Sequence, residues 1–139
     1  MLVRLAVALA LVVVAVAVAR LVQRRRPDPP TQPRWAVPTQ LDRADFSCPA
    51  APWLLVVFTS AACESCARAT LKASVLASPE VAYQEVSWQD RADLHERYHV
   101  EAAPTIVLAD HEGVVRASFV GVPEATDLWA AVAEARQPG

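Results

Sequence analysis

Two cysteines with two residues between them, Cys63 and Cys66 in "TSAACESCARAT" (residues 59–70), have a spacing that supports three kinds of behaviour. A close dithiol runs disulfide exchange, one sulfur attacking and the other resolving the mixed disulfide. The same pair supplies two of the four ligands of a structural zinc site. It also packs as two small apolar side chains. A second pattern, "HERYH" (95–99), places His95 and His99 four apart with Glu96 between, the spacing of a zinc-protease helix. The elements that carry these residues decide among the readings.

"WLLVVFT" (53–59) is a continuous apolar run rich in β-branched residues, as in a strand buried on both faces. A helix-like stretch follows over 63–78, with Ala67, Leu71 and Val75 along one face, and stops at Ser78-Pro79. A second strand is expected over 81–88 and a charged helix over 90–99. Residues 105–110 and 114–120 form a hairpin around "HEG", and a last helix opens at Pro123 and runs to about Ala135. "WAVPT" (35–39) suits a short edge strand before these, where Pro38 is tolerated. The order β-α-β-α-β-β-α implies an α/β fold with a central mixed sheet flanked by helices.

That order puts the cysteine pair at the carboxyl end of a buried strand and in the first turn of a helix, where α/β sheets collect chemistry. Helix N-terminal N–H groups and the macrodipole favour a thiolate there. Cys63 is then the exposed attacking sulfur and Cys66 the resolving one. Zinc is disfavoured, because Cys48, His95, His99 and His111 would have to converge to complete four ligands. The protease reading of "HERYH" fails for want of a third ligand, since Val100 and Pro104 end the segment. Tyr98 is expected to face inward, with His95 and His99 at or near the surface. Cys48 reads as a partly buried bystander.

The chain resembles the thioredoxins over roughly residues 35–137. The resemblance is carried by "VVFTSAACESC", "YHVEAAPT", "HEG" and "VGVPEATDLWAAV", with Pro104 falling 38 residues after Cys66. It implies a thioredoxin-like fold and a thiol–disulfide oxidoreductase acting on protein thiols and disulfides, with no cofactor beyond the dithiol. It further implies a cis bond before Pro104 and a substrate-positioning loop of Ala103, Pro104 and Thr105. The chain departs from the family in three places. Ala62 stands where tryptophan is usual, Glu64-Ser65 where Gly-Pro is usual, and Val57 where a buried acid relays protons. Glu64 and Ser65 are therefore candidates for tuning the pair, and Glu64 should oppose ionisation of Cys63. A redox-silent adaptor of the same fold, binding a membrane partner, is the competing class.

Ahead of this domain, residues 2–22 are apolar but for Arg4 and Arg20. As a helix the stretch rises about 31 Å, the depth of a bilayer core. We read residues 1–22 as a transmembrane anchor, with a cleaved signal peptide as the alternative, "AVA" at 17–19 being its cleavage site. Residues 23–34 are an Arg/Pro-rich linker and 35–139 the thioredoxin-like domain. The chain is thus expected to sit in the cell membrane as a single-pass protein. Arg20, Arg24, Arg25 and Arg26 follow the apolar core while only Arg4 precedes it, a bias toward a cytoplasmic domain. Residues 41–139 carry seven basic against fourteen acidic side chains, which excludes nucleic acid as a partner.

Overall fold

The computed structural model describes residues 1–24 and 35–137, and the chain divides into two compact units, Met1–Arg34 and Trp35–Gly139. Apart from its first two residues, the linker expected at 23–34 lies outside the described residues. In the first unit, α1 (Leu2–Arg24) is exposed around its whole circumference from Leu2 to Leu21, including Leu5, Leu9, Val12 and Val16. Its stretch Leu2–Leu21 is long and apolar enough to cross a membrane, a property a signal segment near the N-terminus shares.

The second unit is a four-stranded mixed sheet. β1 (Trp53–Thr59) and β2 (Val81–Ser87) are parallel, while β3 (Thr105–Ala109) pairs antiparallel with β1 and with β4 (Val115–Val120). The strand order is β2-β1-β3-β4. The apolar run of β1 has the expected cause, because both faces of the sheet are covered. Leu54, Val56 and Phe58 meet Val86, Leu94, Val100 and Val107 on one side. Leu55 and Val57 meet Ala69, Ala73, Ile106, Leu108, Leu128 and Val132 on the other. Helix α3 (Trp88–Arg97) lies over the first side, and α2 (Cys66–Ser74) and α4 (Ala125–Arg136) over the second. Burying a side chain such as Leu54, Leu55 or Phe58 contributes about 1.5–3 kcal/mol.

Several elements differ from expectation. Helix α2 starts at Cys66, so Cys63 precedes it instead of lying in its first turn. It ends at Ser74, where the Thr70 and Ser74 hydroxyls bond back to helix carbonyls. The N–H groups of Leu76 and Ala77 then tighten the chain into three-residue turns. The inward face of α2 is Cys66, Ala69 and Ala73; Leu71 and Val75, expected to share its apolar stripe, point to solvent. Small residues on that face let the helix sit close on the sheet. The edge strand at 35–39 is reduced to a bridge between Gln40 and Val114, flanked by bonds from Val115 N–H to Thr39 O and from Leu41 N–H to Gly113 O.

Helix α3 begins two residues early because Ser87 caps it, its hydroxyl accepting the Asp90 N–H at 3.3 Å. It stops before His99, whose φ of 53° is incompatible with a helix. Tyr98 packs against the core as expected and donates to Asp45. Two charged groups are buried under the hairpin. The Arg43 guanidinium donates to the carbonyls of Asp110 (2.9 Å) and Cys48 (3.2 Å). The Asp110 carboxylate accepts from the N–H groups of Glu112 and Val114 and pairs with Arg116 at 2.8 Å. Burial opposes the ionisation of Asp110 more than any other single cause. The Arg116 guanidinium and the two backbone N–H groups together outweigh it and hold the carboxyl below its usual range.

Candidate functional site

Parallel pairing of β1 and β2 sets Thr59 opposite Ser87, so the residues after Thr59 and those opening α3 leave the sheet side by side. The turn after β1 is closed by hydrogen bonds from Cys63 N–H to Ser60 O (3.1 Å) and from Ala62 N–H to the Ser60 hydroxyl (3.3 Å). Gln89 of α3 holds the turn from the other side, its Oε1 accepting the Ala61 N–H at 3.0 Å. This places Cys63 beside Cys66, and the two sulfurs are joined in a disulfide with Cα atoms 5.5 Å apart.

The two sulfurs are not equivalent. Cys66 opens α2 on its inward face and is 5% exposed, whereas Cys63 is only half-buried and lines an open cavity. Ser65 is the cap residue of α2, yet its hydroxyl makes no cap hydrogen bond. It lies 3.6 Å from Cys63 Sγ instead. A disulfide sulfur carries no proton, so the hydroxyl is the donor. The arrangement favours negative charge on the first sulfur: a hydroxyl aimed at it, and a helix start just beyond. Glu64 is exposed and does not line the cavity. Val57 is wholly buried among Ala69, Ala73 and Ile106, so the position matched to the family's proton relay lies in apolar surroundings.

The Ala103–Pro104 peptide is cis. Pro104 is buried and its carbonyl accepts the Gly121 N–H at 2.8 Å; Thr105 is buried and its hydroxyl donates to Ala102 O at 2.8 Å. Ala103 alone of the three is exposed and lines the same cavity as Cys63. Among the described residues its N–H and C=O have no hydrogen-bond partner. The structure therefore brings Cys63, Ser65 and Ala103 together around a cavity of about 950 Å³ and leaves Pro104, Thr105 and Glu64 out of its lining.

Three residues of this region were not anticipated. Gln89 anchors the turn. Trp88, 43% exposed, forms a wall of the cavity. His95 was expected near the surface but is 4% exposed. Its Nε2 pairs with Val86 O at 2.9 Å, and its ring meets Phe58 and Trp88 edge-on. The signal for Trp88 and Gln89 was present in the parallel register, since neighbouring parallel strands release their next residues at the same edge. His95 and Glu96 belong to α3 while His99 lies beyond it, so "HERYH" is not one helical face. No group of three potential ligands converges among the described residues. Cys48, expected to be partly buried, is exposed, and its φ is 50°.

No protein-family model and no curated protein matches the sequence. Solved structures do match, and several of them are thioredoxins. A mutant thioredoxin from Halobacterium salinarum is 18% identical with a TM-score of 0.57, the match covering 65% of this chain and 80% of that one. Fasciola hepatica thioredoxin is 27% identical with a TM-score of 0.53, covering 60% and 81%. The germline-specific thioredoxin Deadhead of Drosophila melanogaster is 22% identical with a TM-score of 0.54, covering 62% and 83%. The resemblance carried by the sequence motifs thus extends to three dimensions, and the Trp35–Gly139 unit has the thioredoxin fold.

Proposed function

With the thioredoxin fold as premise, we propose that the chain is a thiol–disulfide oxidoreductase in which Cys63 exchanges with protein substrates and Cys66 resolves. The observation that carries this is the unequal exposure of the two bonded sulfurs: one opens onto a cavity and the other is held on the inward face of α2. In the reductive direction the Cys63 thiolate attacks a substrate disulfide, forming a mixed disulfide and expelling one substrate thiolate. Cys66 then attacks Cys63 Sγ, closing the Cys63–Cys66 bond and releasing the second thiolate, so two electrons pass to the substrate. In this reading Ala103, whose backbone groups have no partner among the described residues, holds an extended substrate segment by main-chain hydrogen bonds, with Pro104 and Thr105 fixing the loop; its exposure in the cavity that Cys63 also lines supports this. Ser65 favours the Cys63 thiolate and Glu64 opposes it.

The test is trapping in the full chain. Cys66→Ser should accumulate mixed disulfides with substrate proteins and Cys63→Ser should accumulate none. Equal trapping by both, or by neither, refutes the assignment. Helix α1 serves in this reading as a retained membrane anchor, supported by its exposed apolar circumference and length. The protein should then stay with the membranes on alkaline extraction. The arginines after α1's apolar core favour a cytoplasmic soluble unit, whose dithiol would rest reduced. Thr31→Cys, with Cys48, Cys63 and Cys66 replaced by serine, should resist a membrane-impermeant maleimide in intact cells; labelling would place the unit outside.

A further inference from the structure

The cavity beside Cys63 has a chemical character that the exchange reaction alone does not require. Opposite the cysteine turn its lining comes from α3 and the segment after it: Trp88, His95, Glu96, His99 and Glu101. Both glutamates are exposed carboxylates, and among the described residues no lysine or arginine lines the cavity. The nearest arginines in sequence are engaged elsewhere. Arg97 turns to Asp42 (3.7 Å) and Asp45 (3.2 Å), and Arg91 to Asp93 (3.0 Å). Among the described residues the two carboxylates therefore have no lysine or arginine in the cavity to neutralise them, the basic side chains of its lining being the imidazoles of His95 and His99. Trp88 adds a half-exposed indole, whose face attracts cations as well as apolar groups. His95, although 96% buried by its 4% exposure, also reaches the cavity, and its one protein hydrogen bond among the described residues uses Nε2.

We propose that this cavity selects protein substrates whose reacting cysteine is flanked by lysine or arginine, the basic side chain lying between Trp88 and the carboxylates of Glu96 and Glu101. The inference rests on the exchange reading above and adds the substrate class to it. Charge complementarity at a part-exposed surface acts on the encounter and on specificity more than on raw affinity. A basic flank also places a positive charge near the thiolate that leaves, where it favours departure.

The experiment uses the reduced full chain in detergent and two peptides, each a mixed disulfide with 2-mercaptoethanol, one with lysine and one with glutamate on either side of the cysteine. Each turnover forms the Cys63–Cys66 bond and releases peptide thiol and 2-mercaptoethanol. At low ionic strength the lysine peptide should be preferred by about five-fold or more in the second-order rate constant of this single turnover, in which the chain is the stoichiometric reductant, the scale of two exposed ion pairs. The preference should fall to about two-fold or less in Glu96→Gln/Glu101→Gln, and should shrink in 0.5 M salt, where the Debye length is only about 4 Å. It should persist in Glu112→Gln/Glu134→Gln, which removes the same charge away from the cavity. Equal rates with both peptides, or a preference lost equally in the two double variants, overturn the proposal by assigning it to no charge or to net charge. Bis(2-hydroxyethyl) disulfide, which is neutral, separates the two levels. If the wild-type chain reduces it but shows no peptide preference, only the substrate class fails; if it does not reduce it, the exchange reading fails and this inference with it.

Discussion

Replacing Ser65 with alanine removes the hydroxyl that lies 3.6 Å from Cys63 Sγ and nothing else that the fold uses, because Ser65 makes no cap hydrogen bond to α2. In the reduced protein that hydroxyl donates to the Cys63 thiolate and stabilises the charged form. A hydrogen bond to a charged group contributes about 1.5–3 kcal/mol. The contact is long and the sulfur half-exposed, so we take about 1 kcal/mol. At 1.36 kcal/mol per unit, the Cys63 pKa should rise by about 0.7 in Ser65→Ala. At a pH where Cys63 is ionised, the same loss destabilises the reduced state and lowers the two-electron potential by about 20 mV. The assay is the pH dependence of iodoacetamide alkylation of Cys63 in a Cys48→Ser background, read by mass spectrometry, with the potential taken from glutathione equilibration. Thermal unfolding serves as the control and should move little. Ser65→Thr should restore the wild-type titration, because it keeps a hydroxyl. A Cys63 titration unchanged or lowered in Ser65→Ala would refute the reasoning, and a large loss of stability would mean the hydroxyl supports the helix instead.

Glu64→Gln should act in the opposite direction, lowering the Cys63 pKa by less than about one unit because the carboxylate is exposed and screened; the same alkylation profile decides it. Asp110, held below its usual range by Arg116 and two N–H groups, contributes stability that is complete above its unfolded value of about 3.9 and is lost as pH falls through the lower folded value. In urea unfolding, Asp110→Asn should therefore destabilise at pH 7, and the difference from the wild type should shrink as pH falls below the unfolded value; a constant difference would contradict this. Gly113 has φ of 82°, and a Cβ there would run into the Leu41 carbonyl oxygen, so Gly113→Ala should destabilise by more than about 2 kcal/mol in the same assay. Full stability would mean that the hairpin and the 39–41 segment separate freely.

How far the sequence could be read depended on whether its signals were local. The continuous apolar run of β1 required two covered faces, and the order of elements around it allowed little besides a helix-flanked mixed sheet. The cysteine pair had to emerge at the strand's carboxyl end, and Leu2–Leu21 was apolar on every side. Each of these follows from residues adjacent in the chain or from the period of a single element. Tertiary structure decided what depended on distant partners. Whether Leu71 or Ala69 faces the sheet depends on how α2 docks, and small residues docked closest. His95 is buried because Val86 O, Phe58 and Trp88 meet around it, contacts its own charged helix did not announce. Arg43 reaches the Asp110 carbonyl across 67 residues, a pairing that no local pattern encodes. The surroundings of Cys63 and Cys66 belong to the same class. Sulfur chemistry and the order of exposure of the two sulfurs were legible in the two-residue spacing at a helix start, but the neighbouring hydroxyl, indole and carboxylates are assembled only when β1, α2 and α3 are packed together.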